Sequence, residues 1–153
     1  MAASAYLLDT NILLRLSQSG GPYDEIVAAA VESLVAARTV LFYTLQNAAE
    51  FWNVCTRPLE RNGFGLDVVE ADRRLRLIER QFLFLPDGDG VYPEWRRMVA
   101  QCRVSGVQVH DARLAAVMAV NHVTHLLTLN PHDFVRYAGL TAVHPRHLQR
   151  HTS

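Results

Sequence analysis

Short apolar, strand-forming runs alternate with amphipathic helical runs along the chain. This alternation predicts an α/β fold, with a mostly parallel central sheet of four to five strands and helices on both faces. Two further observations agree with it. The chain has 153 residues, half of them hydrophobic and a fifth charged, enough apolar material for one packed core. Several acidic residues fall where a strand or loop passes into a helix, the rim on which parallel sheets place their sites. No internal repeat, low-complexity segment or linker interrupts the chain, so residues 1–153 are read as one domain.

Taken in order, Tyr6–Leu8 is a short buried strand and Asn11–Ser17 a short helix, broken by Gly20-Gly21-Pro22. Asp24–Arg38 carries apolar residues at Ile26, Val27, Ala30, Val31, Leu34 and Val35, the stripe of an amphipathic helix. Val40–Tyr43 is β-branched and aromatic, hence a strand. Leu45–Cys55 is helical, and Arg57-Pro58 bends or ends it. Gly63-Phe64-Gly65 is a loop. Val68–Arg80 is a helix with Val69, Leu75 and Ile78 as its apolar residues. Phe82–Leu85 is a strand closed by Pro86-Asp87-Gly88-Asp89-Gly90. Glu94–Val104 and His110–Asn121 are helices, Thr124–Leu129 a strand, Asn130–Phe134 a turn and Leu140–Val143 a last strand.

Fifteen basic residues balance fifteen acidic ones, so no global charge draws the chain to nucleic acid. Every one of the basic residues is Arg. Chemistry that needs a lysine is excluded, and phosphate contacts must come from guanidinium or backbone N–H groups. Cys55 and Cys102 form no CxxC and are read as reduced, half-buried thiols. No apolar run approaches a membrane span, and Met1-Ala2-Ala3-Ser4-Ala5-Tyr6 has no basic leader segment. A cytoplasmic protein without membrane association is the expectation.

The residues that carry chemistry are acids. Asp9 ends the first strand in Tyr6-Leu7-Leu8-Asp9-Thr10-Asn11, where it can also serve as an ordinary helix cap. Glu50 sits in the apolar stretch Ala48-Ala49-Glu50-Phe51-Trp52. Asp111 opens a helix that is apolar nearly all round, so its charge needs a partner or a metal, although a cap at the helix dipole is open to it too. Asn130 and Asp133 follow the run Leu126-Leu127-Thr128-Leu129. Clustered carboxylates repel one another, and a hard divalent cation relieves that repulsion.

These segments resemble the PIN-domain family, and within it the toxin ribonucleases of VapBC-type toxin–antitoxin pairs. The resemblance rests on four segments in order, Tyr6–Asn11, Ala49–Val54, His110–Ala116 and Leu127–Phe134. It implies a PIN-like three-layer sandwich and an Mg²⁺-dependent endoribonuclease, with Mn²⁺ as a possible substitute. It also implies an antitoxin partner and a homodimer. By resemblance Asp9, Glu50 and Asp111 are the first three metal-site acids. For the fourth position many relatives carry an acid where this chain has Asn130; Asn130 is placed near the metal as a neutral or water-mediated ligand, with Asp133 as the other candidate. Thr10, Asn11 and Thr128 are expected to hydrogen-bond the ligands. Thr56-Arg57-Pro58 and Asn62-Gly63-Phe64-Gly65 resemble a subgroup of these toxins without an assigned role.

The implied chemistry is in-line attack of metal-activated water on an RNA phosphodiester, leaving a 5′-phosphate and a 3′-hydroxyl. Arg15, Arg57, Arg61 and Arg113 are candidates for the RNA backbone as well as for surface ion pairs, and single-stranded or loop RNA suits a small cleft. His110 can touch a site water. His122 and His125 lack a third zinc-like ligand, and His144, His147 and His151 are read as surface residues. Two other classes are open. One is a PIN-fold binding module for RNA or protein with weakened catalysis, favoured by the departure at Asn130. The other is an Asp-dependent phosphoacceptor domain, disfavoured by Asn11 where a second Asp is usual and by the missing lysine.

Overall fold

A computed structural model describes residues 4–148. The elements in chain order are β1 (Ala5–Leu8), α1 (Thr10–Ser17), α2 (Asp24–Ala36), β2 (Val40–Tyr43), α3 (Leu45–Thr56), α4 (Val68–Gln81), β3 (Leu83–Phe84), α5 (Val91–Gln101), α6 (Val109–Val120), β4 (His125–Leu127) and β5 (Thr141–Val143). Short 3-10 turns lie at Leu59–Arg61, Gly106–Gln108, Pro131–Phe134 and Pro145–Leu148. The strands form one sheet in the order β3-β2-β1-β4-β5, and every neighbouring pair is parallel. Parallel neighbours need crossovers, and the intervening helices supply them.

Alternation along each strand sends side chains to two cores. Tyr6 and Leu8 of β1 and Leu127 of β4 pack with Ile12, Val27, Phe51 and Ile78, so α1 to α4 cover one face. Leu7 and Leu126 pack with Met98, Leu114 and Met118, so α5 and α6 cover the other. This is the expected three-layer arrangement. β1 lies at its centre: the chain runs from β1 outward to β2 and β3, then crosses to β4 and β5 on the opposite side. The strand order therefore reverses between β1 and β4, and their C-terminal ends form the crevice where ligands of open parallel sheets bind. Among the described residues no helix is long and apolar enough to cross a membrane.

Element boundaries differ from expectation for identifiable reasons. Three helices stop earlier than their patterns suggest. Each closes on a left-handed residue that is not glycine: Arg38 after α2, Arg103 after α5 and His122 after α6. In each case the next N–H reaches back five residues, Thr39 to Leu34, Val104 to Val99 and Val123 to Met118. This is a glycine-type helix stop built from residues that carry no such signal. Helix α5 begins before Glu94 because Pro93 lies in its first turn, where the missing N–H would have no helical partner anyway. Val69 is 79% exposed, while Ala71 and Ile78 form the buried face of α4. Strand β3 is only two residues long, and both are exposed at the sheet edge.

After α3 the chain folds back on itself. Phe64 N–H donates to the Val54 carbonyl and Leu66 N–H to that of Cys55, both at 2.9 Å, and Gly65 N–H donates to the Arg57 carbonyl. A Cβ on buried Gly63 would fall on the Arg57 carbonyl, so only glycine permits this close return. We expect Gly63→Ala to lower stability by about 3 kcal/mol in urea unfolding, the upper range for overpacking. A loss below about 1 kcal/mol would mean that the loop opens without disturbing α3.

Candidate active site

Asp9 stands directly at the strand-order reversal. Its N–H donates to the Leu127 carbonyl at 3.0 Å, joining the end of β1 to β4. Its side chain accepts three hydrogen bonds: from Thr10 N–H at 2.8 Å on Oδ1, and from Thr128 Oγ1 at 2.7 Å and Asn11 Nδ2 at 3.4 Å on Oδ2. Asp9 thus caps α1, as an acid at that boundary should, and also faces the crevice. Asn11 ties the opposite wall, accepting from Leu129 N–H at 3.2 Å, and Asn130 N–H donates to Thr128 Oγ1 at 3.0 Å.

Glu50 reaches the same place from α3. Its Oε2 accepts from Thr10 Oγ1 at 2.7 Å and its Oε1 from Gln46 Nε2 at 2.9 Å. Two residues that the sequence reading did not single out do the holding. Asn47 Nδ2 donates to Thr10 Oγ1 at 3.0 Å, while its Oδ1 accepts from the Thr44 N–H in a capping box that starts α3. Gln46 Nε2 donates also to the His110 carbonyl at 2.9 Å, which fixes α3 against the start of α6. The Thr44-Leu45-Gln46-Asn47 spacing carries the cap signal. Nothing local marks the reach of Gln46 or Asn47 to distant elements.

Asp111 lies in the first turn of α6, half-buried, one residue past the anchored His110 carbonyl. The acids feel one another. Burial raises the Asp9 carboxyl to about 6, aided by the Asp111 and Glu50 charges and opposed by the Thr128 and Thr10 hydrogen bonds. Burial also raises Asp111, reinforced by Asp133 and then Glu50, with His110 and Arg136 pulling the other way. Among the described residues no ion pair engages Asp9, Glu50, Asp111 or Asp133. Asn130 and Asp133 are exposed at the rim, and Asp133 lies in the 3-10 turn after β4.

The fold therefore brings Asp9, Glu50, Thr10, Asn11 and Thr128 into one bonded network, and places Asp111 and Asp133 within its field. The carboxylates still stand apart: among the described residues no three His, Cys, Asp or Glu side chains are close enough to hold one ion as arranged here. The chemistry of the donors nevertheless fits a hard cation, since they are carboxylate oxygens without a basic partner. A buried amide oxygen, Gln46 Oε1, has no hydrogen-bond partner beside them. Arg113 is occupied by Asp87 at 2.6 Å. His144, expected at the surface, is buried at 6% exposure. Its Nδ1 accepts from Arg146 N–H, and its ring meets Tyr23 edge-on. Its place beneath α2 comes from the closing turn, which periodicity does not report. His147 is exposed, and His151 lies outside the described residues. Both cysteines are free, with Cys55 buried.

A family model of the PIN domain matches residues 6–140, and the chain belongs to that family. Solved structures share its fold. A chain in the structure of VapBC2 from Rickettsia felis, bound to a DNA fragment from their promoter, superposes with a TM-score of 0.70 at 14% identity, covering 92% of this chain and 98% of that one. A chain of FitAcB from Neisseria gonorrhoeae gives 0.68 at 19% identity, with 94% and 99% covered. The sarcin-ricin loop cleaving toxin VapC20 of Mycobacterium tuberculosis gives 0.54 at 17% identity, with 79% and 86% covered. No curated protein matches the sequence.

The raised Asp9 carboxyl sets a pH dependence. Its ordinary value is 3.8 and its folded value about 6, so the folded chain holds the proton more tightly than the unfolded one. The resulting stability is present in full below pH 3.8 and is lost as pH rises through about 6. The loss amounts to about 3 kcal/mol at most. In chelator, the difference in unfolding free energy between wild type and Asp9→Asn should move in favour of the variant across this window. A difference independent of pH would mean that Asp9 titrates normally.

Proposed function

We propose that this chain is an Mg²⁺-dependent endoribonuclease, Mn²⁺ serving as an alternative, and that it acts as the toxin of a toxin–antitoxin pair. The observation that carries the reading is the set of acids at the strand-order reversal, drawn from three separate elements and engaged in no ion pair among the described residues. Asp9, Glu50 and Asp111 would hold the cation. When bound, such an ion lowers the pKa of a water and offsets negative charge on a phosphate. For the fourth place Asn130 is kept as a neutral or water-mediated ligand, with Asp133, whose charge is felt at Asp111, as the other candidate. Thr10, Thr128 and Asn11 set the carboxylate rotamers, while Gln46 and Asn47 keep Glu50 at the rim.

Several features of the solved structures support the biological setting. VapC20 is named as a sarcin-ricin loop cleaving toxin, and VapBC2 was solved bound to a DNA fragment from their promoter. On this reading a cognate antitoxin neutralises the acidic rim with a basic side chain, and the toxin works as a homodimer in the cytoplasm. The second reading, a PIN-fold module that binds RNA or protein without cutting it, is favoured by the spacing of the carboxylates and the neutral Asn130.

Cleavage separates the two. Purified wild type should cut RNA on addition of Mg²⁺, and expression without its partner should arrest growth. Asp111→Asn should lose more than the roughly 10–100-fold that removal of an outer partner costs, and should not arrest growth. Asp133→Asn should matter less than Asn130→Ala; cleavage abolished by Asp133→Asn at saturating Mg²⁺ and untouched by Asn130→Ala would move the fourth place to Asp133. Equal cleavage by wild type and Asp111→Asn would discard the metal-centre assignment, and no cleavage by wild type would favour the binding module.

A further inference from the structure

Beside the acid rim lies a cavity of about 240 Å³ with the opposite character. Its walls include Asn11 and Arg15 from α1, Arg57 at the end of α3, and Asn62 and Phe64 from the returning loop. Asn11 belongs to both compartments, since its amide also donates toward Asp9 and Thr128. Two arginines therefore line a hollow that shares the Asn11 side chain with the carboxylates.

Among the described residues Arg15 and Arg57 make no ion pair. Asp24, across Gly21 from Arg15, gives one oxygen to the Gly21 N–H at 2.8 Å. Arg57 spends one N–H on the Asn62 carbonyl at 3.2 Å, yet its Nε is buried with no acceptor among the described residues. A buried donor without a partner is costly, and Arg57, half-buried as a whole, keeps further guanidinium N–H groups that an anionic acceptor can take. The holding is deliberate in the backbone. Asn62 adopts a left-handed conformation, Gly63 N–H donates to the Pro58 carbonyl, and Gly65 N–H donates to the Arg57 carbonyl. The otherwise unexplained segments Thr56-Arg57-Pro58 and Asn62-Gly63-Phe64-Gly65 are thus the scaffold of this hollow.

We propose that Arg15 and Arg57 form a binding site for a phosphodiester group of single-stranded RNA, next along the strand from the phosphate at the acid rim. The inference rests on the ribonuclease reading and adds to it the site that positions the substrate. A strand that presents one phosphate to the acids needs a cation nearby to hold its neighbour, since the acids alone repel it. Half-buried Phe64 offers an aromatic wall for the attached base.

The test is binding, which does not depend on cleavage. Fluorescence anisotropy with a labelled oligouridylate of about ten nucleotides, in chelator, is measured across a salt series. Arg15→Gln and Arg57→Gln should each weaken binding about five- to tenfold at low salt and make the log–log salt slope shallower by about 0.7. Arg57→Lys keeps the charge but loses the planar guanidinium fork, so it should keep the slope and lose part of the affinity. Arg96→Gln, on exposed α5 surface, should change neither. Thermal melts confirm that each variant is folded. RNA binding that is unchanged in affinity and slope by both Gln variants overturns the proposal and leaves the ribonuclease reading standing. Wild type that neither binds nor cuts RNA overturns both. A polyglutamate peptide of equal length that binds with the same dependence on Arg15 and Arg57 reassigns the hollow to an acidic protein segment, which also overturns the proposal.

Discussion

Carboxylates drawn to one rim of a sheet repel one another, and much of this fold exists to hold them there without neutralising them. The holding groups are uncharged: the hydroxyls of Thr10 and Thr128 and the amides of Asn11, Gln46 and Asn47. Neutral donors orient a carboxylate and partly offset its burial, but they leave its charge in place, which is why the Asp9 carboxyl remains raised. An arginine in any of these positions would have settled the repulsion. The same bonds fasten the layers. Thr10 links α1 to α3, Gln46 links α3 to α6, and Thr128 links β4 to β1. The site and the packing of its scaffold are therefore one network, not two.

The alternation of strand and helix was legible because each element carries its own periodicity. Val40–Tyr43 needs no neighbour to declare itself a strand, and its bounds agree with the reading. Asp9, Glu50 and Asp111 were visible because a charge at an apolar boundary is conspicuous. The helix ends were not, because Arg38, Arg103 and His122 take a conformation usually left to glycine. A cationic side chain near a helix C-terminus gains from the dipole, which offsets some of the backbone cost. Gln46 and Asn47 escaped notice because their partners lie 64 and 37 residues away. Their function is a tertiary fact. The burial of His144 is of the same kind.

Membership in the PIN domain family coexists with very low identity to solved relatives, 14% against a TM-score of 0.70 in one case. This follows from what the architecture demands. A core of the right polarity and volume tolerates wide exchange of Leu, Ile, Val and Ala, provided the pattern is kept. The crossover from β3 past β1 to β4 is a property of chain order and not of particular side chains.

The sharing of Asn11 between an acidic and a basic compartment gives the surface a polarity that its net charge of zero conceals. Opposite charges on either side of one amide make a local dipole. On the ribonuclease reading, the phosphates of a strand that reaches it would be drawn to the arginine side and repelled from the acid side. Its range is short, since ions screen it within about 10 Å at 0.1 M salt. The dipole therefore gathers nothing from a distance and acts only on what has already arrived.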